Sequence, residues 1–170
     1  DKLLWMNGHY IRSLAPDDLA ARLVPFLADA GIEATAAEVL ALVPLIQERI
    51  TTLLEVVPLV DFFWATRITP EVVDLVPNKL APADVAAARR RTAEALATVV
   101  HWTAEELEEE LRALSEALGV KAGPLFQPVR VAVTGKKIAP PLFETLALVG
   151  KDKVIERLTA AATLLEGGAG

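Results

Sequence analysis

Cysteine is absent from all 170 residues, which excludes disulfides, thiolate zinc sites and cysteine nucleophiles without identifying a compartment. Aromatic residues make up only 5% and glycines number nine. Ala, Leu and Val carry the apolar load instead, a balance that favours helices over a β-sandwich. Long apolar runs are missing too. The longest, from Val39 to Ile46, falls far short of the roughly 20 residues that cross a bilayer, so no membrane partner is expected. The opening Asp1-Lys2-Leu3-Leu4-Trp5 lacks the charged-then-apolar pattern of a signal peptide. The first residue is not Met, which suits a piece of a longer chain. Catalytic groups are equally scarce. His9 and His101 stand far apart with no Asp, Glu or Ser at motif spacing, and read as surface or capping side chains. No phosphate-binding loop, nucleophile elbow or H-E-x-x-H motif occurs. The acidic run Glu105, Glu106, Glu108, Glu109 and Glu110 spreads over several helix faces beside Arg112 and reads as a solvated surface, not a metal cluster. Neither a catalytic residue nor a metal ligand is expected.

What is present is a substantial core. Apolar residues reach 53% and mean hydropathy is +0.39, which rules out disorder and suits one domain or two small ones. The net charge of −6 at first argues against a polyanionic partner. Its distribution points the other way, because residues 119–158 carry seven basic and three acidic side chains, leaving the remainder strongly acidic. A solvated face of mixed charge would look the same.

Helix punctuation is legible. Pro16-Asp17-Asp18 opens a run with Leu19, Leu23, Phe26 and Leu27 that stops at Gly31. Thr35 with Glu38 forms a capping box for the next helix. Pro44 is expected to interrupt it and restart a helix through Gln47, Arg49 and Leu53. Pro58 turns the chain into Asp61-Phe62-Phe63-Trp64. Thr69-Pro70 reads as N-cap and first residue of a short helix through Val76, and 77–82 as a connector. A long Ala-rich helix follows from Ala83 to Val100, with Arg89-Arg90-Arg91 as a solvated face. Thr103 and Glu106 suggest a second capping box, for a helix ending at Gly119. Val129, Val131 and Val133 alternate like a strand, but Leu125, Val129 and Val133 also make an i, i+4 stripe; a lone strand would leave its backbone unpaired, so a helix is expected. A last helix starts near Asp152. The fold class is therefore all-α, about nine short helices.

Three blocks in order carry a family resemblance: Lys2-Leu3-Leu4-Trp5-Met6-Asn7-Gly8-His9-Tyr10-Ile11-Arg12, then Gln47-Glu48-Arg49-Ile50-Thr51-Thr52-Leu53, then Lys121-Ala122-Gly123 through Leu125-Phe126-Gln127-Pro128-Val129-Arg130 and Thr134-Gly135 to Pro140-Pro141-Leu142-Phe143-Glu144. Together they resemble the C-terminal half of bacterial-type glutamyl-tRNA synthetases. That resemblance implies a helical cage of two small packed subdomains, 1–67 (the junction plus an Arg49 helix) and 68–170, binding the anticodon stem-loop of tRNA(Glu). The family's ATP-handling motifs lie in an N-terminal Rossmann half outside this sequence. The chain is thus expected to use no cofactor and to perform no aminoacylation itself. ATP, Mg2+ and catalysis belong to that N-terminal half, its partner in a cytoplasmic, monomeric parent.

By the same resemblance Arg49 contacts the third anticodon base, Arg130 helps to read the first two, and Pro140, Leu142 and Phe143 receive them; Ala139 and Pro141 replace a threonine and a glycine of the family's pattern. A guanidinium fork suits cytosine's O2 and N3 acceptors and meets guanine's donors badly. Lys121, Lys136 and Lys137 would supply phosphate contacts. On the residues alone, Arg49 reads as an ion-pair partner of Glu48 or Glu55, and Leu142 and Phe143 read as core. A helical protein-interaction domain is the competing function.

Overall fold

A computed structural model describes residues 2–76 and 82–167. They are all-α, with ten α-helices, two 3₁₀ turns and no strand among the described residues. The chain divides into two compact units, 1–65 and 66–170. No described helix is long and apolar enough to cross a membrane.

The first unit holds α1 (Lys2–Ser13), α2 (Pro16–Asp29) and α3 (Ala36–Ile46), then a 3₁₀ turn (Leu53–Glu55), α4 (Val56–Val60) and a second 3₁₀ turn (Asp61–Phe63). Pro16 starts α2, Asp17 and Asp18 sit in its positively polarised first turn, and Leu19, Leu23 and Leu27 form its buried stripe. Gly31 adopts φ +79°, which lets the Ile32 N–H reach back to the Leu27 carbonyl at 2.9 Å and close the helix. The Thr35 capping box opens α3: the Thr35 hydroxyl oxygen accepts from Glu38 N–H at 3.2 Å, while the Glu38 carboxylate accepts from Thr35 N–H at 2.8 Å. Val39, Leu42, Val43 and Ile46 of α3 pack against the α2 stripe, with Ile11, Ile50, Val56 and Val60 completing the core.

Pro44 does not interrupt α3, and the expected second helix through Arg49 does not form. Proline removes one interior hydrogen bond and crowds the preceding turn, but Val43 and Ile46 on either side are fully buried, and that packing holds the helix together. Pro25 lies inside α2 for the same reason. The helix instead ends at Ile46, where Gln47 turns its side chain away to another element. Pro58 likewise sits within α4 and does not end a segment.

The second unit contains α5 (Val72–Leu75), α6 (Pro82–Thr98), α7 (Ala104–Ala117), α8 (Ala122–Thr134), α9 (Leu142–Val149) and α10 (Lys151–Gly167). The long helices α6 and α10 pack along each other, α7 lies against α9, and α8 against α10. Thr69-Pro70 does not start a helix: α5 begins two residues past Pro70 and has no side-chain cap. The expected connector falls largely at residues 77–81, outside the described residues. The valine-rich segment is helical throughout, and Leu125, Val129, Val131 and Val133 are all buried. Thr103 caps α7 by accepting from Glu106 N–H at 3.3 Å, but the reciprocal half of the box is diverted. The Glu106 carboxylate instead accepts from His101 N–H at 3.1 Å and lies 2.8 Å from the His101 imidazole.

The three consecutive arginines of α6 are not one solvated face. At 100° per residue they point in different directions. Arg91 is exposed, and Arg90 forms a bidentate pair with Glu166 of α10 at 2.9 and 2.6 Å. Arg89 is only 2% exposed, because it shares the inward stripe of Val85, Ala86, Ala93 and Leu96.

Candidate nucleic-acid interface

Arg49 stands on the turn that follows α3, and that turn is fastened to α1 from several directions. The Gln47 side-chain amide donates to the carbonyls of Ile11 and Leu14, each at 3.0 Å, so one side chain pins the C-terminal end of α1 and the residue after it. The Asn7 amide donates to the Thr51 carbonyl, and Arg12 approaches Glu48 at 3.9 Å. Gly8 allows the close approach: a Cβ there would lie 3.2 Å from the Arg12 guanidinium and 3.4 Å from the Thr51 methyl. The first sequence block is thereby explained residue by residue. Asn7, Gly8, Ile11 and Arg12 face the body of the unit, while Leu3, Leu4, Trp5, Met6 and Tyr10 are turned outward, with Trp5 stacked on His9 at 5.8 Å.

On the far side of the turn, Glu55 accepts from Thr51 N–H at 2.8 Å and from the hydroxyls of Thr51 and Thr52 at 2.9 and 3.1 Å. The two acids offered to Arg49 as ion-pair partners are therefore engaged elsewhere. Arg49 itself is exposed, its backbone N–H bonded to Ile46 and its guanidinium paired with no described residue. The turn projects an open donor fork from a fixed base.

The hydrogen bond from the Thr51 backbone holds the Glu55 carboxyl below its ordinary value near 4.5, with the threonine hydroxyls adding to the effect against desolvation. A carboxyl depressed in the folded state contributes stability that is complete above its unfolded pKa and is lost as pH falls through the folded one. Urea midpoints of the wild-type chain should therefore fall as pH drops below about 4.5, and Glu55→Gln should flatten that part of the profile. Parallel profiles would remove Glu55 from the acid response.

In the second unit the turn between α8 and α9 gathers most of the other predicted residues. Gly135 ends α8 in the left-handed region at φ +74°, and the chain then runs through Lys136, Lys137, Ile138, Ala139, Pro140 and Pro141 into α9. Arg130, half-buried on the last turns of α8, donates through Nη1 to the Pro140 carbonyl at 2.7 Å and to the Ala139 carbonyl at 3.3 Å. Pro140 and Leu142 are buried, and Phe143 is half-buried, edge-on to Phe126 at 5.3 Å. Lys136 and Lys137 lie on the turn, the latter paired with Asp74 of α5 at 2.6 Å. Lys121 does not join them. It precedes α8, and the 13 residues of that helix put it about 20 Å away along the axis. Arg49 belongs to the first unit and Arg130 to the second.

Sequence reasoning missed the residues that hold these turns: Asn7, Gly8 and Gln47 in the first unit, Gln127 and Asp74 in the second. All but Asp74 lie inside the three motif blocks, so the signal was present as unexplained polar or glycine positions.

Residues 18–162 match the family described as anticodon binding domain. The chain is 44% identical to glutamate–tRNA ligase of Chloroflexus aurantiacus over 98% of its length, and 40% identical to that of Acidothermus cellulolyticus over 98%. It spans about a third of the length of these relatives, 35% and 34% respectively. The same fold occurs in the crystal structure of a glutamate tRNA ligase from Elizabethkingia meningosepticum, with a TM-score of 0.81 and 21% identity over 95% of this chain and 32% of that one. The chain belongs to the anticodon binding domain family.

Proposed function

We propose that this chain is the anticodon-reading module of a cytoplasmic glutamyl-tRNA synthetase, binding the anticodon stem-loop of tRNA(Glu). The observation that carries the reading is Arg49: an exposed guanidinium, paired with no described residue, on a turn locked by Gln47, Asn7 and Glu55. Sequence-specific RNA recognition works largely on single-stranded loops, whose unstacked bases expose their hydrogen-bonding edges. A donor fork carried on backbone that is already held in place discriminates among those edges at a lower ordering cost on binding. On its Watson–Crick edge cytosine at the third anticodon position offers the fork two acceptors, O2 and N3, where guanine turns its N1–H and amino donors toward it.

The α8–α9 turn supplies the second contact region, for the first two bases. Arg130 supports it from beneath by holding the Ala139 and Pro140 carbonyls. Phe143 presents a half-exposed ring, and Pro140 and Leu142 shape the surface from below. Lys136 and Lys137 lend positive charge, Lys137 while steadied by Asp74. Catalysis falls to the N-terminal half of the parent, the module's partner in cis within a monomeric enzyme. No group of three or more carboxylate or imidazole side chains suited to a metal occurs among the described residues. ATP and Mg2+ would act in that other half.

Binding of two anticodon stem-loops tests the reading, one with cytosine and one with guanine as the third anticodon base. The chain should favour cytosine about 10- to 100-fold, and Arg49→Gln should erase most of that preference. Lys136→Ala with Lys137→Ala should weaken both loops alike and flatten the salt dependence. Equal affinity for both loops, before and after the Arg49 change, would overturn the assignment.

A further inference from the structure

Between α8 and α9 the backbone is tied down almost atom by atom. The Thr134 hydroxyl donates its one hydrogen to the Arg130 carbonyl at 2.8 Å, and its oxygen accepts from Lys136 N–H at 3.1 Å. The Lys137 carbonyl accepts from the Gln127 amide at 2.9 Å. The Ala139 and Pro140 carbonyls accept from Arg130. Side chains of a single helix thus hold the Lys136 N–H and the carbonyls of Lys137, Ala139 and Pro140. The Lys137 ammonium adds an anchor to α5 through Asp74.

At the centre of this strap Ile138 is 83% exposed. Exposure alone means little, since single apolar side chains are common on surfaces and Val100 is equally exposed. The setting of Ile138 differs. It follows two lysines and precedes Ala139 and Pro140, on backbone whose ordering has already been achieved by other residues. A preorganised apolar projection beside cations suits a ligand that is flat and apolar on its face and anionic along its backbone. An unpaired nucleotide has that chemistry.

We propose that Ile138 is a base-contact residue, its side chain providing the apolar surface against which an unpaired anticodon base lies. Gln127 and Arg130 are positioning residues that fix the strap beneath it. The assignment rests on the anticodon-reading function proposed above and adds a contact to it.

The test uses the full chain and an anticodon stem-loop carrying 2-aminopurine in turn at each anticodon position. Wild-type chain should change the fluorescence of one of the first two positions. Ile138→Ala should weaken binding about five- to tenfold, as expected for loss of a partly covered aliphatic side chain. It should also abolish that fluorescence change and leave the slope of affinity against salt unaltered, because no charge is removed. Ile138→Phe should retain or tighten binding. Gln127→Ala should weaken binding in the same direction as Ile138→Ala, and the two changes combined should weaken it by less than their product. Unchanged affinity and fluorescence in Ile138→Ala, with normal wild-type binding, would overturn the Ile138 assignment and leave the anticodon reading intact. Failure of the wild-type chain to bind the stem-loop at all would overturn both.

Discussion

Arg89→Met is expected to raise the stability of the second unit by about 1–3 kcal/mol, a gain of roughly 4–8 °C in midpoint per kcal/mol for a unit of this size. Arg89 is 2% exposed and has one hydrogen bond among the described residues, a long one of 3.4 Å from Nη1 to the Leu125 carbonyl. Its Nε is buried without a partner among the described residues. Burial alone pushes its pKa well below the ordinary arginine value, to about 10, which corresponds to a penalty on the charged form of about 3 kcal/mol. The folded state binds this proton less tightly than the unfolded state, so at neutral pH the charge opposes folding and the opposition eases only as pH rises past the folded value. Methionine keeps the unbranched aliphatic length and removes the charge. Arg89→Ala should gain far less, because the same relief is offset by a cavity. Thermal unfolding followed by Trp102, the tryptophan of the second unit, reads both variants. A midpoint for Arg89→Met below wild type would show instead that the guanidinium stabilises the fold through its packing and its single bond.

Arg89 also marks the kind of information the sequence withheld. Periodicity around it was fully legible: Val85, Ala86, Ala93 and Leu96 define an inward stripe that includes position 89. Residue type overruled that pattern, because three adjacent arginines look like a solvated face. The rest of α6, the Thr35 box, the Gly31 and Gly119 stops and the helical valines of α8 followed from local rules, since each depends on neighbours three or four residues away. Pro44 and Thr69-Pro70 did not. At Pro44 buried neighbours on both sides outweigh the local penalty. At Thr69-Pro70 the local start signal leads into extended backbone, and Ile68 packs against Gly135 at the end of α8. Both outcomes are decided by contacts distant in sequence. The candidate sites divide along the same line. Arg49, Arg130 and the Pro140–Phe143 segment stood out because motif blocks single them out. Their supports could not be assigned, because Gln47 acts on carbonyls more than thirty residues away and Asp74 on a lysine 63 positions later.

The dependence of the Arg49 turn on α1 gives the second large effect. Gly8→Leu should destabilise the first unit by about 2–3 kcal/mol and cost the chain its cytosine preference, although residue 8 is given no contact with RNA. The first atom of any side chain at position 8 would sit 3.2 Å from the Arg12 guanidinium and 3.4 Å from the Thr51 methyl. A lone methyl is tolerable there: the tip of Arg12 can swing aside, and alanine gains about 1 kcal/mol of helix propensity over glycine. Gly8→Ala should therefore stay near wild type in both stability and discrimination. Leucine adds three more carbons beside the Thr51 methyl and the Arg12 guanidinium, and α1 must lift away from residues 47–51. That movement breaks the Asn7–Thr51 bond and draws the Ile11 and Leu14 carbonyls off Gln47, so the base beneath Arg49 loses its attachments together. Urea unfolding and the two-loop binding assay separate the consequences. Gly8→Leu should bind both loops with similar affinity and retain the salt dependence set by the second unit. Full cytosine preference in a destabilised Gly8→Leu chain would mean that the turn holds its shape without α1, and that Glu55 and the threonines suffice to aim Arg49.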